Sequence, residues 1–163
     1  MSRARHPALG RVGHLSIRRR YGIYAVALAV WITGVGWLVF HYFLKQVDEF
    51  GFDAAHPAEK WWLIGHAVVA FYALWWFGLL WTSHVLNAWK ARVRRGSGGA
   101  LFACTAWLAL TGCALYYIGS ELWRACVSIL HWAVGIAAVA AFIYHLQART
   151  ARAGRPGADR VPG

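Results

Sequence analysis

Acidic side chains are scarce in this sequence. Only six Asp and Glu residues accompany 17 Lys and Arg residues, so the net charge is +11, and charged residues make up 14% of the chain. A soluble domain carries about 25% charged residues, whereas here 60% of all residues are hydrophobic. The composition therefore excludes an ordinary soluble domain and indicates a protein whose surface lies largely in a lipid bilayer.

Proline and cysteine are also rare. None of the four prolines lies inside the long apolar runs, so no proline interrupts a helix there. The three cysteines, Cys104, Cys113 and Cys126, form no C-x-x-C pair and no C-x-x-C-H motif. This pattern excludes a covalently attached c-type haem and gives no sign of an iron–sulfur cluster or a zinc site. We interpret the cysteines as small residues packed within a helix bundle.

Four apolar runs dominate the chain, at residues 21–44, 61–89, 99–118 and 122–146. Each reaches the roughly 20 residues that an α-helix needs to cross a bilayer. The runs predict an all-α fold, an integral membrane four-helix bundle with up-down topology. We expect this membrane domain to occupy residues 21–148, between a basic cytoplasmic tail at 1–20 and a disordered cytoplasmic tail at 149–163.

Positive charge is sorted along the chain in a way that predicts orientation. Fourteen of the 17 Lys and Arg residues lie in the two tails or in the connection between the second and third runs. The opposite side, made of the other two connections and the start of the fourth run, holds three basic and five acidic residues: Lys45, Lys60, Arg124, Asp48, Glu49, Asp53, Glu59 and Glu121. The positive-inside rule then places both termini in the cytoplasm of a multi-pass protein of a bacterial inner membrane. Orientation explains the net charge, and no nucleic-acid partner is expected.

Histidines occur in pairs on the second and fourth runs. His66 and His84 are 18 residues apart, which is five turns and about 27 Å of an ideal α-helix, so both are expected on one stripe. His131 and His145 are 14 residues apart, about 21 Å along the axis and about −40° around it. Because both runs cross from outside to inside, we expect His66 to pair with His131 and His84 to pair with His145.

Packing alone does not easily explain four histidines on two spans, because ionisable groups in a bilayer are costly and tend to mark function. Each pair can hold one iron through neutral imidazole nitrogens. We therefore predict two non-covalent b haems, with His66, His131, His84 and His145 as axial ligands. Zinc and copper are less favoured, because no cysteine or carboxylate stands at metal-ligand spacing. An interhelical hydrogen bond is the alternative for a single histidine.

The two histidine spacings differ by four residues, or about 6 Å of helix, so both pairs cannot be level on straight parallel helices. Tilt of the helices can absorb this difference. Replacement of one ligand by His41 or His14 can absorb it as well.

Three further residues are candidates for contact with a haem. Gly34 and Gly112 lie inside spans, where a residue without a side chain lets a macrocycle approach the backbone. Each follows a threonine, and each run with a Thr-Gly pair precedes a run with histidines, which suggests two copies of a two-helix unit. Arg124, near the outer end of the fourth run, can pair with a haem propionate or anchor the helix at the interface.

These features resemble a known superfamily. The four helices, the Thr-Gly pair in the first run, the 14-residue histidine spacing and the ending His84, Asn87, Trp89 of the second run are similar to the bacterial cytochrome b561 and hydrogenase/formate dehydrogenase cytochrome b-subunit superfamily. The resemblance covers residues 21–148. Members that take one ligand from the first helix differ from this chain, which has two histidines on the second run.

The resemblance implies transfer of electrons between a periplasmic redox partner and the quinone pool. The parts outside the membrane are too small for a dehydrogenase site, so the chain is expected to be the membrane subunit of a larger oxidoreductase. A stand-alone quinol:acceptor oxidoreductase acting on superoxide or radicals is one alternative. A non-redox transporter or anchor with a histidine proton relay is another.

The first connection, residues 45–60, is expected to be a solvated loop, a docking surface for a periplasmic partner or a lid over a quinone pocket. Structureless connections of this length are uncommon in compact bundles. For a quinone bound on the outer side, we expect His41, His56 or Glu59 to handle its protons.

Overall fold

The computed structural model describes residues 16–92 and 95–153. About 85% of these residues are helical, which confirms the all-α prediction. The helices are α1 (Ile17–Tyr42), α2 (Pro57–Leu80), α3 (Leu86–Lys90), α4 (Arg95–Tyr117) and α5 (Glu121–Ala153), and a π-helical segment, Trp81–Val85, joins α2 to α3.

Four helical stretches in the described residues are long and apolar enough to cross a membrane. They are Ile17–Tyr42, Pro57–Lys90, Arg95–Tyr117 and Glu121–Gln147. Every predicted run coincides with one of these stretches, and the ends differ by at most four residues. The structure is therefore consistent with a multi-pass membrane protein.

Capping explains why two of the helices begin before their apolar runs. The side chain of Ser16 accepts a hydrogen bond from the backbone N–H of Arg19 at the start of α1. At the start of α2, Nδ1 of His56 accepts from the N–H of Ala58, and Pro57 occupies the first turn. Such caps satisfy N–H groups that the first turn of a helix leaves unpaired. The polar first turns thus extend the helices beyond the apolar residues.

The connection between α1 and α2 is ordered by a small hairpin. Strand β1 (Gln46–Val47) pairs antiparallel with β2 (Asp53–Ala54). Between them, Oδ1 of Asp48 accepts the backbone N–H groups of Phe50 and Phe52, at 2.9 and 2.8 Å. Gly51 takes a φ of +83°, which a residue without a Cβ adopts at little cost. The connection is therefore a closed turn with two exposed Phe side chains rather than a structureless loop.

The chain divides into two compact units, Met1–Val93 and Arg94–Gly163. In the first unit α1 packs against α2, and in the second α4 packs against α5. Each unit is a helical hairpin whose first helix carries a Thr-Gly pair. This division agrees with the two-helix repeat suggested by the sequence.

Apolar side chains cover the outside of both units. Phe71 and Leu110 expose 71% and 70% of their surfaces, and no hydrophobic residue in the described part is fully enclosed. Exposed apolar area costs about 25 cal/mol per Å² in water, so these faces require lipid or protein neighbours. The most enclosed residue described is polar: Thr111 is 9% exposed.

Candidate functional site

In the first unit, α1 and α2 meet at Thr33 and His66. The Thr33 hydroxyl lies 3.1 Å from Nδ1 of His66, 2.8 Å from the carbonyl oxygen of Ala29 and 3.0 Å from that of Val30. A carbonyl oxygen can only accept, so with its hydrogen donated to the backbone, as is common for threonine in a helix, the hydroxyl accepts the Nδ1–H of His66. The imidazole is thereby held in the tautomer whose Nε2 is unprotonated.

The second unit repeats this contact between α4 and α5. The Thr111 hydroxyl lies 2.8 Å from Nδ1 of His131 and 2.8 Å from the carbonyl oxygen of Trp107. By the same reasoning, the hydroxyl accepts the Nδ1–H of His131 and leaves Nε2 unprotonated. Water has little access to this bond because Thr111 is enclosed.

A third hydroxyl contact joins Ser97 to His145, with 3.0 Å between Oγ and Nδ1. Ser97 precedes the third apolar run, which begins at residue 99, and so was expected in the basic connection before that run. Instead, α4 begins at Arg95, and Ser97 lies in its first turn. Ser97 is therefore a site residue that the sequence did not reveal.

A glycine follows each of these hydroxyl residues and faces the same histidine. A Cβ added at Gly34 would lie 3.2 Å from Cε1 of His66, and one added at Gly112 would lie 3.3 Å from Cε1 of His131. At Gly98 the distance to Cε1 of His145 would be 3.8 Å. Gly34 and Gly112, predicted to make room for a macrocycle, thus make room for imidazole rings.

We call each set of hydroxyl residue, following glycine and histidine a histidine clamp. The three clamps are Thr33-Gly34 with His66, Thr111-Gly112 with His131, and Ser97-Gly98 with His145. In each clamp one helix supplies a hydrogen-bond acceptor and a gap for the ring, while its neighbour supplies the ring. The shared design fixes both the tautomer and the position of His66 and His131.

The two clamps of the second unit follow one antiparallel register. Ser97 and Thr111 are 14 residues apart on α4, as His131 and His145 are on α5. Fourteen residues are two heptads, the repeat at which left-handed supercoiled helices bring the same face back to a neighbour. A left-handed supercoil of α4 and α5 would therefore absorb the −40° offset that straight-helix geometry predicts between the two histidines.

His84 lies inside the π-helical segment, where the N–H of Leu86 bonds to the carbonyl oxygen of Trp81. Such an i→i+5 turn takes up one extra residue. The separation of His66 and His84 then corresponds to about 17 residues, or about 26 Å, of α-helix. The span that carries both histidines is therefore not an uninterrupted α-helix. The axial distance between His66 and His84 then exceeds the distance between His131 and His145 on α5 by about 4.5 Å.

Arg124 supports the end of α4. Its Nε and one of its terminal nitrogens donate to the carbonyl oxygen of Ile118, at 3.1 and 2.7 Å. Carbonyls at a helix end lack partners within the helix, and arginine side chains can satisfy them. Contact with a haem propionate stays a prediction for this residue.

His41 and Glu59 join α1 to α2 at the end of the unit that carries the hairpin. His41 Nδ1 lies 2.7 Å from Oε1 of Glu59, and Trp37 stacks on the imidazole with 4.6 Å between ring centroids. A cavity of about 400 Å³ adjoins Glu59 and is lined by Ala55, His56, Pro57, Glu59, Lys60 and Leu63. His41 thus has a carboxylate partner on α2, whereas His14 lies outside the described residues.

Within residues 16–92 and 95–153, no three His, Cys, Asp or Glu side chains converge to hold a metal ion by themselves. Cys104, Cys113 and Cys126 are free thiols. A clamp offers one ligand atom, Nε2 of its histidine. A haem iron fits this donor set, since the porphyrin fills four positions and one imidazole on each side completes the coordination.

No family model, curated protein or solved structure matches this chain. The function proposed below therefore rests on the histidine clamps.

Proposed function

We propose that this protein is a di-haem b-type cytochrome of a membrane. Two b haems are held non-covalently by His66, His131, His84 and His145, in the pairs predicted from the sequence. The protein transfers electrons between a periplasmic redox partner and the quinone pool, as the membrane subunit of a larger oxidoreductase.

One observation carries this proposal: in two clamps a threonine hydroxyl lies within hydrogen-bond distance of both a backbone carbonyl oxygen and Nδ1 of a histidine. Histidines that bind metals commonly donate their second ring N–H to an oxygen, which sets the tautomer and makes the ligand nitrogen more basic. His66 and His131 are held in this form by Thr33 and Thr111. An interhelical bond made for packing is satisfied by either tautomer, whereas iron binding through Nε2 requires the one with Nε2 unprotonated.

The separation of the histidines within each unit supports electron transfer across a membrane. It is about 26 Å of helix from His66 to His84 and about 21 Å from His131 to His145. The hydrocarbon layer is about 30 Å thick. When bound, haem supplies a centre that takes up and releases one electron at a time. The protein's part is to place such a centre near each face and to keep water away.

The charge pattern supports the finer topology. With both termini in the cytoplasm of a bacterial inner membrane, the basic segments lie inside and the acidic hairpin connection outside. The His41–Glu59 pair and its cavity then lie at the outer end of the first unit. That is a place where a quinone could exchange protons with the protein.

A spectrum of the purified protein tests the proposal. The full chain is extracted in mild detergent, and its dithionite-reduced minus oxidised spectrum is recorded together with the haem content per polypeptide. We expect a b-type spectrum and two haems per chain. A preparation that folds as helix but contains no haem, even after incubation with hemin, overturns the cytochrome proposal.

A further inference from the structure

Two tryptophans mark the face of α2 that packs on α1. A Cβ added at Gly36 would overlap the ring of Trp62, and one added at Gly22 would overlap the ring of Trp76. The glycines are 14 residues apart on α1, as the tryptophans are on α2. The face of α2 that meets α1 therefore recurs every seven residues, as in a left-handed coiled pair.

The π-helical segment determines which residue follows Trp76 on the α1-facing side. In an uninterrupted α-helix, Ser83 follows Trp76 by seven residues and would face α1. His84 would then point about 100° away from that face. Because the segment takes up one extra residue, the α1-facing position moves from Ser83 to His84. The enclosed Nδ1 of His84 agrees with this placement.

One side chain within the segment and one after it bond to backbone carbonyl oxygens one turn earlier. Ser83 Oγ donates to the carbonyl oxygen of Leu79, and the Asn87 side-chain amide donates to the carbonyl oxygen of Ser83, both at 3.1 Å. Such bonds offer the backbone partners outside the regular helical ladder and accompany helix bends. Well under 1% of residues in proteins are π-helical, and π turns often occur at functional sites.

We propose that the π-helical segment is a positioning element for His84. The segment absorbs a one-residue insertion and so keeps His84 on the face that Trp62 and Trp76 define. His66, His131 and His145 are placed by clamps, whereas His84 is placed by its own backbone. The role of His84 as a haem ligand rests on the proposed function, whereas the direction in which its side chain points does not.

Deletion of Thr82 tests this element, with deletion of Val69 as the matched control. Without Thr82 the span becomes a regular α-helix in which His84 follows Trp76 by seven residues, so its direction is kept. Deletion of Val69 removes a residue from regular α-helix and turns Trp76 and His84 about 100° away from α1. We expect the Thr82 deletion to retain two haems and the parental melting temperature. The Val69 deletion should lose haem and melt lower.

A labelling experiment reads the same geometry without haem. Cys104, Cys113 and Cys126 are replaced by alanine, and a cysteine is introduced by His84→Cys or by Ser83→Cys. We expect maleimide to react with the variant at 84 several-fold more slowly than with the variant at 83, because position 84 faces α1.

The two experiments separate the possible failures. A Thr82 deletion that loses haem and stability as the Val69 deletion does, or equal labelling at positions 83 and 84, overturns the positioning role. A parental protein without haem overturns the proposed function, and labelling still decides whether His84 faces α1.

Discussion

Ser97 contacts His145 in the same way as Thr111 contacts His131. Both pairs join a hydroxyl oxygen on α4 to an Nδ1 atom on α5, at 3.0 and 2.8 Å, and they are 14 residues apart on both helices. The second unit thus carries two complete clamps in one regular register. It is the part of the molecule in which the role of the hydroxyls can be tested most directly.

Replacing Thr111 by valine keeps the shape of the side chain and removes the hydrogen-bond acceptor. Loss of such a partner typically lowers metal affinity or activity by about 10–100-fold. We expect the Thr111→Val protein to bind hemin correspondingly more weakly and to show a shifted midpoint potential, whereas Thr111→Ser retains both properties. Unchanged affinity and potential in the valine variant would show that the hydroxyl does not position the ligand.

A methyl group at Gly34 should disturb His66. The added Cβ would lie 3.2 Å from Cε1, so the ring must move by a few tenths of an ångström. We expect Gly34→Ala to reduce the haem content measured by spectroscopy. Gly65→Ala is the control, because a Cβ at Gly65 meets nothing within 4 Å. Alanine also favours the helix over glycine by about 1 kcal/mol, so Gly65→Ala should not destabilise α2. Equal haem loss in the two variants would therefore contradict the clamp.

Removing a histidine of the second unit should remove a haem. His131→Ala and His145→Ala each delete one proposed axial ligand, and a haem with one ligand is bound less tightly. We expect at most one retained haem per polypeptide in each variant, and none in the double variant. Two haems in either single variant would refute the ligand assignment.

The His41–Glu59 pair should contribute to the packing of α1 on α2 but not to haem binding. The two side chains are 40% and 17% exposed, and partly exposed ion pairs contribute at most about 1 kcal/mol. We expect Glu59→Gln to lower the melting temperature slightly and to leave the haem content unchanged. Loss of a haem in His41→Ala would identify His41 as a ligand instead.

Asp48 should hold the hairpin between α1 and α2 closed. Its carboxylate accepts two backbone N–H groups, so Asp48→Ala leaves them to water and loosens the turn. We expect faster tryptic cleavage after Lys45 when protease is added outside right-side-out vesicles. Glu49→Ala is the control, with cleavage as slow as in the parent. Equal rates for the two variants would show that Asp48 does not close the hairpin. Cleavage only from the inside would reverse the proposed orientation.

The sequence predicts the spans well because hydrophobic length alone determines where a helix can cross a bilayer. It was misleading at Ser97-Gly98, where basic residues and several glycines look like a turn. Glycine costs about 1 kcal/mol in a helix in water. In a bilayer, however, the helix also satisfies every backbone group, and glycine lets helices approach closely. The 14-residue spacing shared with His131 and His145 was the signal that could have revealed the pair.

Other features were beyond a reading of single segments. No residue type distinguishes the π-helical segment in the sequence. The inserted residue is visible only in the register of Trp62 and Trp76 against α1. The hairpin between α1 and α2 depends on the Asp48 side chain and on Gly51, which together close a turn between two very short strands. The Thr-Gly repeat was visible in the sequence, but its contact with the histidines needed the antiparallel register of each unit.

The committed hydroxyls of Thr33 and Thr111 also bear on proton movement. A relay along histidines requires that a proton leave one ring nitrogen while another reaches the second. Here a proton leaving Nδ1 would reach a hydroxyl whose own hydrogen points to a backbone carbonyl, and a carbonyl cannot pass a proton on. With the hydroxyl hydrogens on the backbone, His66 and His131 would end a proton path rather than extend it. In the proposed cytochrome, electrons would therefore move through these spans without protons following them.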